Sequence, residues 1–284
     1  MHMSRPKGLQ VLCLAAIAMT AAACSAATQA PPMPSPATVT SAAAAGAAVR
    51  APVNPGSFAG DVPAACDAMV TVNSLQPPGT DPDGPAASPQ ELSAWATQVE
   101  TPLSVAAQNT PPELSDSFGV LTATVNRAKS GTQVNTEDPA IIDALATINA
   151  SAYDHCGFQT LAVQNDSGVL SGVPATLAAG PVAIKFTNSG DPATAAFVLL
   201  VGHIKAGQTT TLADVLAGTT DLGAVADMVA AAAPMGDGPA YAMARLTPGH
   251  YVVAGPLGTP PAFTGFIGAE FDVPEAGGSG LKPH

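Results

Sequence analysis

The chain has 284 residues, and its 21 acidic side chains outnumber 9 basic ones for a formal net charge of −12. That length leaves room for two domains at roughly 100 to 200 residues each, and the shortage of Lys and Arg excludes nucleic acid as a partner, because binding it depends on neutralising phosphates. Charged residues make up 11% and aromatics 4%, with 27 Gly and 28 Pro, which points to small-residue cores joined by much irregular chain.

The first stretch, "MHMSRPKGLQVLCLAAIAMTAAAC", carries Arg5 and Lys7, then an apolar run from Val11 to Met19, then Ala21-Ala22-Ala23-Cys24. This is the layout of an export signal. It resembles the signal of bacterial lipoproteins, in which small residues precede a cysteine that becomes the lipid-carrying first residue; Ala21 stands where Leu is usual. The resemblance implies a signal peptide over 1–23, lipidation of Cys24 and a body held on the outer face of the cell membrane. Stable anchoring takes more than one acyl chain, each buried methylene contributing about 0.8 kcal/mol. The alternative is an A-x-A cleavage site that releases a soluble protein. No other segment has the ~18 consecutive apolar residues of a membrane span. Residues 24–60 are rich in Pro, Ala, Ser and Thr without periodic large apolar positions, the composition of a tether.

From residue 61 to 163 the apolar spacing is helical. "PAACDAMVTVNSL" is a short first helix. In "SPQELSAWATQVE", Ser88, Pro89 and Glu91 form a capping-box pattern, and Leu92, Trp95 and Val99 share a face. Leu114, Phe118, Leu121 and Val125 predict a third helix that ends at Lys129 and Gly131, and Asp138-Pro139 opens a fourth with Ile141, Leu145, Ile148 and Ala152 on one stripe. Cys66 and Cys156 lie at opposite ends of this unit. In an exported chain, such a pair is expected to form a disulfide. The rival reading is a redox-active or metal-binding pair assisted by His155, but no C-x-x-C spacing or second His-Cys pair completes a tetrahedral site.

After Gly168 the period changes to two. "PVAIKFTNSG" places Val182, Ile184 and Phe186 on one face, and "AAFVLLVGHI" reads as a buried strand. "TLADVLAG" and "DLGAVADMVAAAA" read as two short helices between strands. "YAMARL" and "HYVVAG" flank Thr247-Pro248-Gly249-His250, which suits a type II turn. Residues 246–273 then read as a turn, a strand, a long loop "GPLGTPPAFTG" and a last strand with Ile267, Ala269, Phe271 and Val273 inward. A tail follows over 275–284.

The AGP, TNSG and L-x-PG-x-Y signposts over residues 168–274, in that order of strands, resemble the cupredoxin-like domain of exported bacterial proteins. With the helical unit and its cysteine pair before it, the whole chain resembles actinobacterial lipoproteins. The implied fold class is α+β in two domains: a disulfide-linked helical bundle over 61–163, then a cupredoxin-like Greek-key β-sandwich over 168–274. Copper-carrying members use two His, one Cys and usually a Met. Here the stretch after TNSG is Asp191 to Ala195, Ala254 stands at the cysteine position, and Ala262, Phe263 and Phe266 fill the rest. The resemblance therefore implies no metal, no cofactor and no electron transfer.

His203 and His250 read as solvated or backbone-bonded rings, the alternative being a shared surface metal site; Met228, Met235 and Met243 read as packing residues, the alternative being Cu(I) thioether ligands. No G-x-S-x-G, Walker loop, G-x-G-x-x-G or H-E-x-x-H is present. Asp81, Asp83 and Gly84 read as a turn rather than a calcium loop. The triplets at Asn149 and Asn165 read as incidental matches to a glycosylation signal. The sequence thus points to a non-enzymatic, lipid-anchored envelope protein that binds another protein or a small ligand, with "GPLGTPPAFTG" as the recognition loop. The alternative is a copper-binding or electron-transfer protein with a displaced site.

Overall fold

The computed structural model describes residues 60–80, 84–234, 238–259 and 262–275. The expectations for segment 1–23, Cys24 and nearly all of the 24–60 tether fall outside them, as do those for Asp81, Asp83, Met235 and residues 276–284.

Four helices open the described chain: α1 (Val62–Ser74), α2 (Pro89–Asn109), α3 (Ser115–Lys129) and α4 (Pro139–His155). Their starts follow the local signals. Asp61 accepts from the Ala64 N–H, Ser88 and Glu91 close a capping box, and Asp138 accepts from the Ala140 N–H. Each of these helices also has Pro in its first turn, where no N–H is required. The Ser88 hydroxyl and N–H both donate to the Glu91 carboxylate, which holds it below the usual glutamate range. A depressed carboxyl supports the helix above the ordinary range, and that support is lost as pH falls through the lowered value.

The predicted stripes meet in one helical core. Met69 and Val70 of α1, Val99 and Leu103 of α2, Phe118 and Leu121 of α3, and Ile141 and Ile148 of α4 are buried together. Trp95 packs at the margin, and its Nε1 donates to the Leu75 carbonyl at 2.9 Å, tying α2 to the end of α1. Cys66 on α1 and Cys156 at the end of α4 form a disulfide across 90 residues.

Eight strands follow: β1 (Gln159–Asp166), β2 (Val169–Ser171), β3 (Gly180–Ser189), β4 (Leu199–Ile204), β5 (Ala226–Ala232), β6 (Ala240–Leu246), β7 (Gly249–Thr259) and β8 (Ala262–Val273). Two short helices, α5 (Leu212–Leu216) and α6 (Leu222–Val225), lie between β4 and β5. The strands form two sheets, ordered β2-β1-β3-β6 and β5-β4-β7-β8. Between them lies a core built from Leu161, Val163, Ile184, Phe186, Tyr251 and Phe271, among others. The fold is α+β.

Three expectations are corrected. The boundary at 163 and 168 is replaced by a full strand, β1, which runs parallel to β3 from Gln159↔Val182 to Asp166↔Ser189. Its third inward position is Asn165, a polar side chain where an apolar one would have continued the strand signal. The second short helix stops at Val225, and Ala226–Ala232 becomes β5, paired antiparallel to β4; pairing to a buried strand overrides the helical preference of alanine. The long loop is instead a hairpin, with β7 and β8 paired out to Thr259↔Ala262 around an irregularity at Leu257/Gly258.

In the sheet β2-β1-β3-β6, β6 and the middle of β3 are covered on both faces, while β1 and β2 keep an exposed outer side. Met243 of β6 points away from the inter-sheet core and belongs to the helical core. The Asn149 amide donates to the Tyr241 carbonyl at 3.1 Å, the Asn73 amide donates to the Met243 carbonyl, and Arg245 pairs with Asp67. Tyr153 and Tyr241 rings stand 5.5 Å apart. Burial pushes the Tyr241 phenol up, and Asp154 adds to it. The bundle and the sandwich share this packed interface.

Replacing Cys66 and Cys156 by Ser should lower stability by about 4 kcal/mol in the chain-entropy limit. Urea unfolding of the oxidised protein and the double variant measures it; identical midpoints would remove the disulfide from the account of stability.

Candidate binding face at the loop end of the sandwich

One end of the sandwich is closed by a pair of asparagines. Asn165, fully buried at the end of β1, donates through Nδ2 to Asn188 Oδ1 and the Thr194 carbonyl, both at 2.9 Å, while its Oδ1 accepts from the Gly168 N–H at 3.0 Å. Asn188 in turn donates to the Ala196 carbonyl and accepts from the Ala196 N–H, both at 2.9 Å. The two amides thereby fix the β1–β2 turn and the β3–β4 connection without leaving a buried side-chain polar atom unpaired among the described residues. Such networks specify geometry because every member is satisfied.

The sequence-predicted ligand positions do not converge. Asp191 caps the 3-10 turn Pro192–Thr194 above Asn165. Ala254 lies within β7, paired with Leu200 and Gly268, and is buried beneath α5 with Val215 and Val252. Phe263 and Phe266 belong to β8. The register alternates side chains between faces, so Ala254, Pro256 and Phe266 share the outer face of this sheet while Val253, Ile267 and Phe271 point into the core. The irregularity at Leu257/Gly258 brings Phe263 opposite Gly258 on that outer face.

Half of the outer face is covered by α5. A Cβ on Gly268 would come within 2.9 Å of Leu212 Cδ1 and 3.0 Å of Leu216 Cδ2, so glycine is what lets the helix lie flat. Among the described residues, no element covers the part toward the loop end. There Phe197, whose N–H donates to the Pro256 carbonyl at 2.9 Å, sets its ring 6.1 Å from that of Phe263. Phe266 beside them is 38% exposed. This is the region of the expected recognition loop, where Gly255–Thr259 and Ala262–Gly265 are instead paired strands. The sequence puts Phe197 in the buried strand "AAFVLLVGHI", but β4 starts at Leu199 and Phe197 joins the face through the hydrogen bond to Pro256.

The two histidines lie apart from this face and from each other. His203 pairs with Tyr251 on the inner face and stacks on its ring at 4.7 Å, and Tyr251 stacks on Phe271 at 4.9 Å. His250, one residue before Tyr251, points outward, with Nδ1 at 2.8 Å from Asp272 and Nε2 at 3.5 Å from Glu270. Opposite faces of one sheet cannot share an ion, and the two carboxylates flank different nitrogens of the His250 ring. Among the described residues no group of three or more His, Cys, Asp or Glu gathers to hold a metal. Met243 lies under the helices and Met228 on the outer face of the other sheet, over Gly202. Asn149 and Asn165 are both buried with their amides bonded, which leaves neither free for a glycan.

Gly249 corrects the type II expectation. Its φ of 151° differs from the ~80° of that turn, and a Cβ there would stand 2.1 Å from His203 Nε2. The link from β6 to β7 crosses between sheets and is held by Tyr251, whose hydroxyl donates to the Thr247 carbonyl and accepts from the Thr247 N–H, each at 2.9 Å. This is the logic of a tyrosine corner. Among other surface features, an open groove of about 480 Å³ between the start of α2 and the end of α3 is lined by Gln90, Ser93, Thr97 and Lys129, and Lys129 is engaged by Glu100 at 2.6 Å.

No family model and no curated protein matches the chain. Among solved structures it is distantly similar to auracyanin A, a "blue" copper protein from the green thermophilic photosynthetic bacterium Chloroflexus aurantiacus, at 13% identity and a TM-score of 0.27, over 41% of this chain and 99% of that one. A likeness this faint assigns neither ligand nor activity. No helix among the described residues is long and apolar enough to cross a membrane.

Asn165→Ala should cost about 2 to 3 kcal/mol, since it strands the Gly168 N–H and the Thr194 carbonyl in a buried site. Thermal and urea unfolding read it out, and a loss below about 0.5 kcal/mol, the ordinary scale of a surface change, would contradict the clamp.

Proposed function

We propose that the protein is a lipid-anchored cell-envelope binding module without catalytic activity, in which a metal-free cupredoxin-like sandwich, braced by the disulfide-linked bundle, presents the Phe197–Phe263–Phe266 face to a partner. One observation carries the reading: three aromatic side chains lie together on an outer sheet face, beside a helix that covers its middle, and Phe266 remains more than a third exposed. Exposed apolar surface next to polar surroundings marks recognition sites. The export-type N-terminus, with Cys24 behind Ala21-Ala22-Ala23, supports the anchoring. The acidic balance supports a protein or small-ligand partner and opposes nucleic acid.

Two experiments test the reading in cells. Cys24→Ala should move the protein out of the membrane fraction; unchanged membrane retention would refute the anchor. A photo-crosslinking side chain at exposed Thr264 should yield a discrete adduct that Phe266→Ser removes, while the melting temperature stays within a few degrees of the parent. An adduct indifferent to Phe266, or none, would refute the binding face.

A further inference from the structure

β8 is an outer strand of its sheet. Among the described residues it pairs on one side with β7 along its whole length, and on the other only at Asp272, where the Leu177 N–H donates to its carbonyl and its N–H donates to Ala175. From Thr264 to Glu270, one row of backbone N–H and C=O groups therefore faces away from the sheet. Natural edges are commonly blunted by Lys, by Pro or by a covering element. The segment "AFTGFIGAEFDV" contains neither Lys nor Pro, and α5 lies over the face of β8 rather than along its edge. The opposite outer strand, β5, packs along β6 of the other sheet, whereas β8 meets the shorter β2 (Val169–Ser171) and the segment Ala175–Leu177.

Resting on the binding face above, we propose that β8 accepts an added strand: an extended segment of a partner whose apolar side chains lie against Phe263 and Phe266 and whose Lys or Arg lies opposite Glu270. Backbone pairing gives such additions their affinity and alternate side chains give their specificity. The outer-face sequence of β8 runs Phe263, Phe266, Gly268, Glu270 and Asp272, apolar at one end and acidic at the other. Glu270 and Asp272 are half-exposed, with only His250 between them. Lys129, Lys205 and Arg245 are paired elsewhere, with Glu100, Asp227 and Asp67. Among the described residues no Lys or Arg pairs with Glu270 or Asp272, and a cationic residue on the incoming strand would supply that partner. A second copy would bring its own net charge of −12, so charge favours a basic, apolar segment over self-association. Ala175–Leu177 already reaches this edge at Asp272, and the added strand continues along the same line.

The probes are three blocked synthetic peptides of about eight residues, the length of an ordinary strand. All alternate valine with threonine; one has lysine at the position that meets Glu270, one has glutamate there, and one keeps the lysine but is N-methylated at alternate residues. With the detergent-solubilised full chain, the lysine peptide should slow hydrogen exchange at amides between Thr264 and Ala269. The glutamate peptide should bind roughly fivefold more weakly, Glu270→Lys should reverse that order, and N-methylation should abolish binding. Unslowed exchange in β8, no binding of the lysine peptide, or equal affinities for the charged pair would overturn the added strand. Equal binding of the N-methylated peptide that Phe266→Ser blocks would also overturn it while leaving the apolar face standing, whereas a Thr264 photo-adduct absent from the parent protein, or indifferent to Phe266, refutes the face itself.

Discussion

Everything else in this molecule depends on β6 being buried from both sides. Along Ala240–Leu246, Ala242, Ala244 and Leu246 face the other sheet and Met243 faces the helices, so one strand belongs to two cores. Its carbonyls at Tyr241 and Met243 accept from Asn149 and Asn73 on the helical side. Ala242, Met243 and Ala244 at its centre are buried whichever way they point, charge enters only at Arg245 near its end, and the small side chains let both layers approach closely. The disulfide reinforces the same contact, because α1 and α4, which it joins, are the helices that carry those two asparagines.

Helices lie against β6 and part of β3 in the first sheet, and under the reading proposed above recognition falls to the other. Among the described residues α5 and α6 cover the outer face of β5-β4-β7-β8 only in part. The Asn165 and Asn188 amides hold the β1–β2 turn and the β3–β4 connection in one arrangement. The clamp and the tyrosine corner set the frame, and the phenylalanines of the proposed face stand outside it.

The chemistry available to the face follows from its composition. Phe197, Phe263 and Phe266 offer dispersion and area, Glu270 and Asp272 offer charge, and the edge of β8 offers directed hydrogen bonds. Selectivity on such a surface comes from the order in which apolar and charged positions follow one another along an extended partner.

Local signals determined much of this protein from sequence. The caps at Ser88 and Asp138, the stripes through Phe118 and Ile148, the alternation of Val182, Ile184 and Phe186, and the pairing of Cys66 with Cys156 depend on neighbours in the chain or on cysteine count, and all stand in the structure. What tertiary contact decided is the remainder. Ala226–Ala232 is a strand because β4 offers it a partner, Gln159–Asp166 is a strand although its inward row ends in Asn165, and Gly255–Thr259 pairs with Ala262–Gly265 although their glycines read as a loop. Each of these segments has weak intrinsic preference, so pairing with a distant strand supplied the deciding free energy, and no window of adjacent residues contains that term.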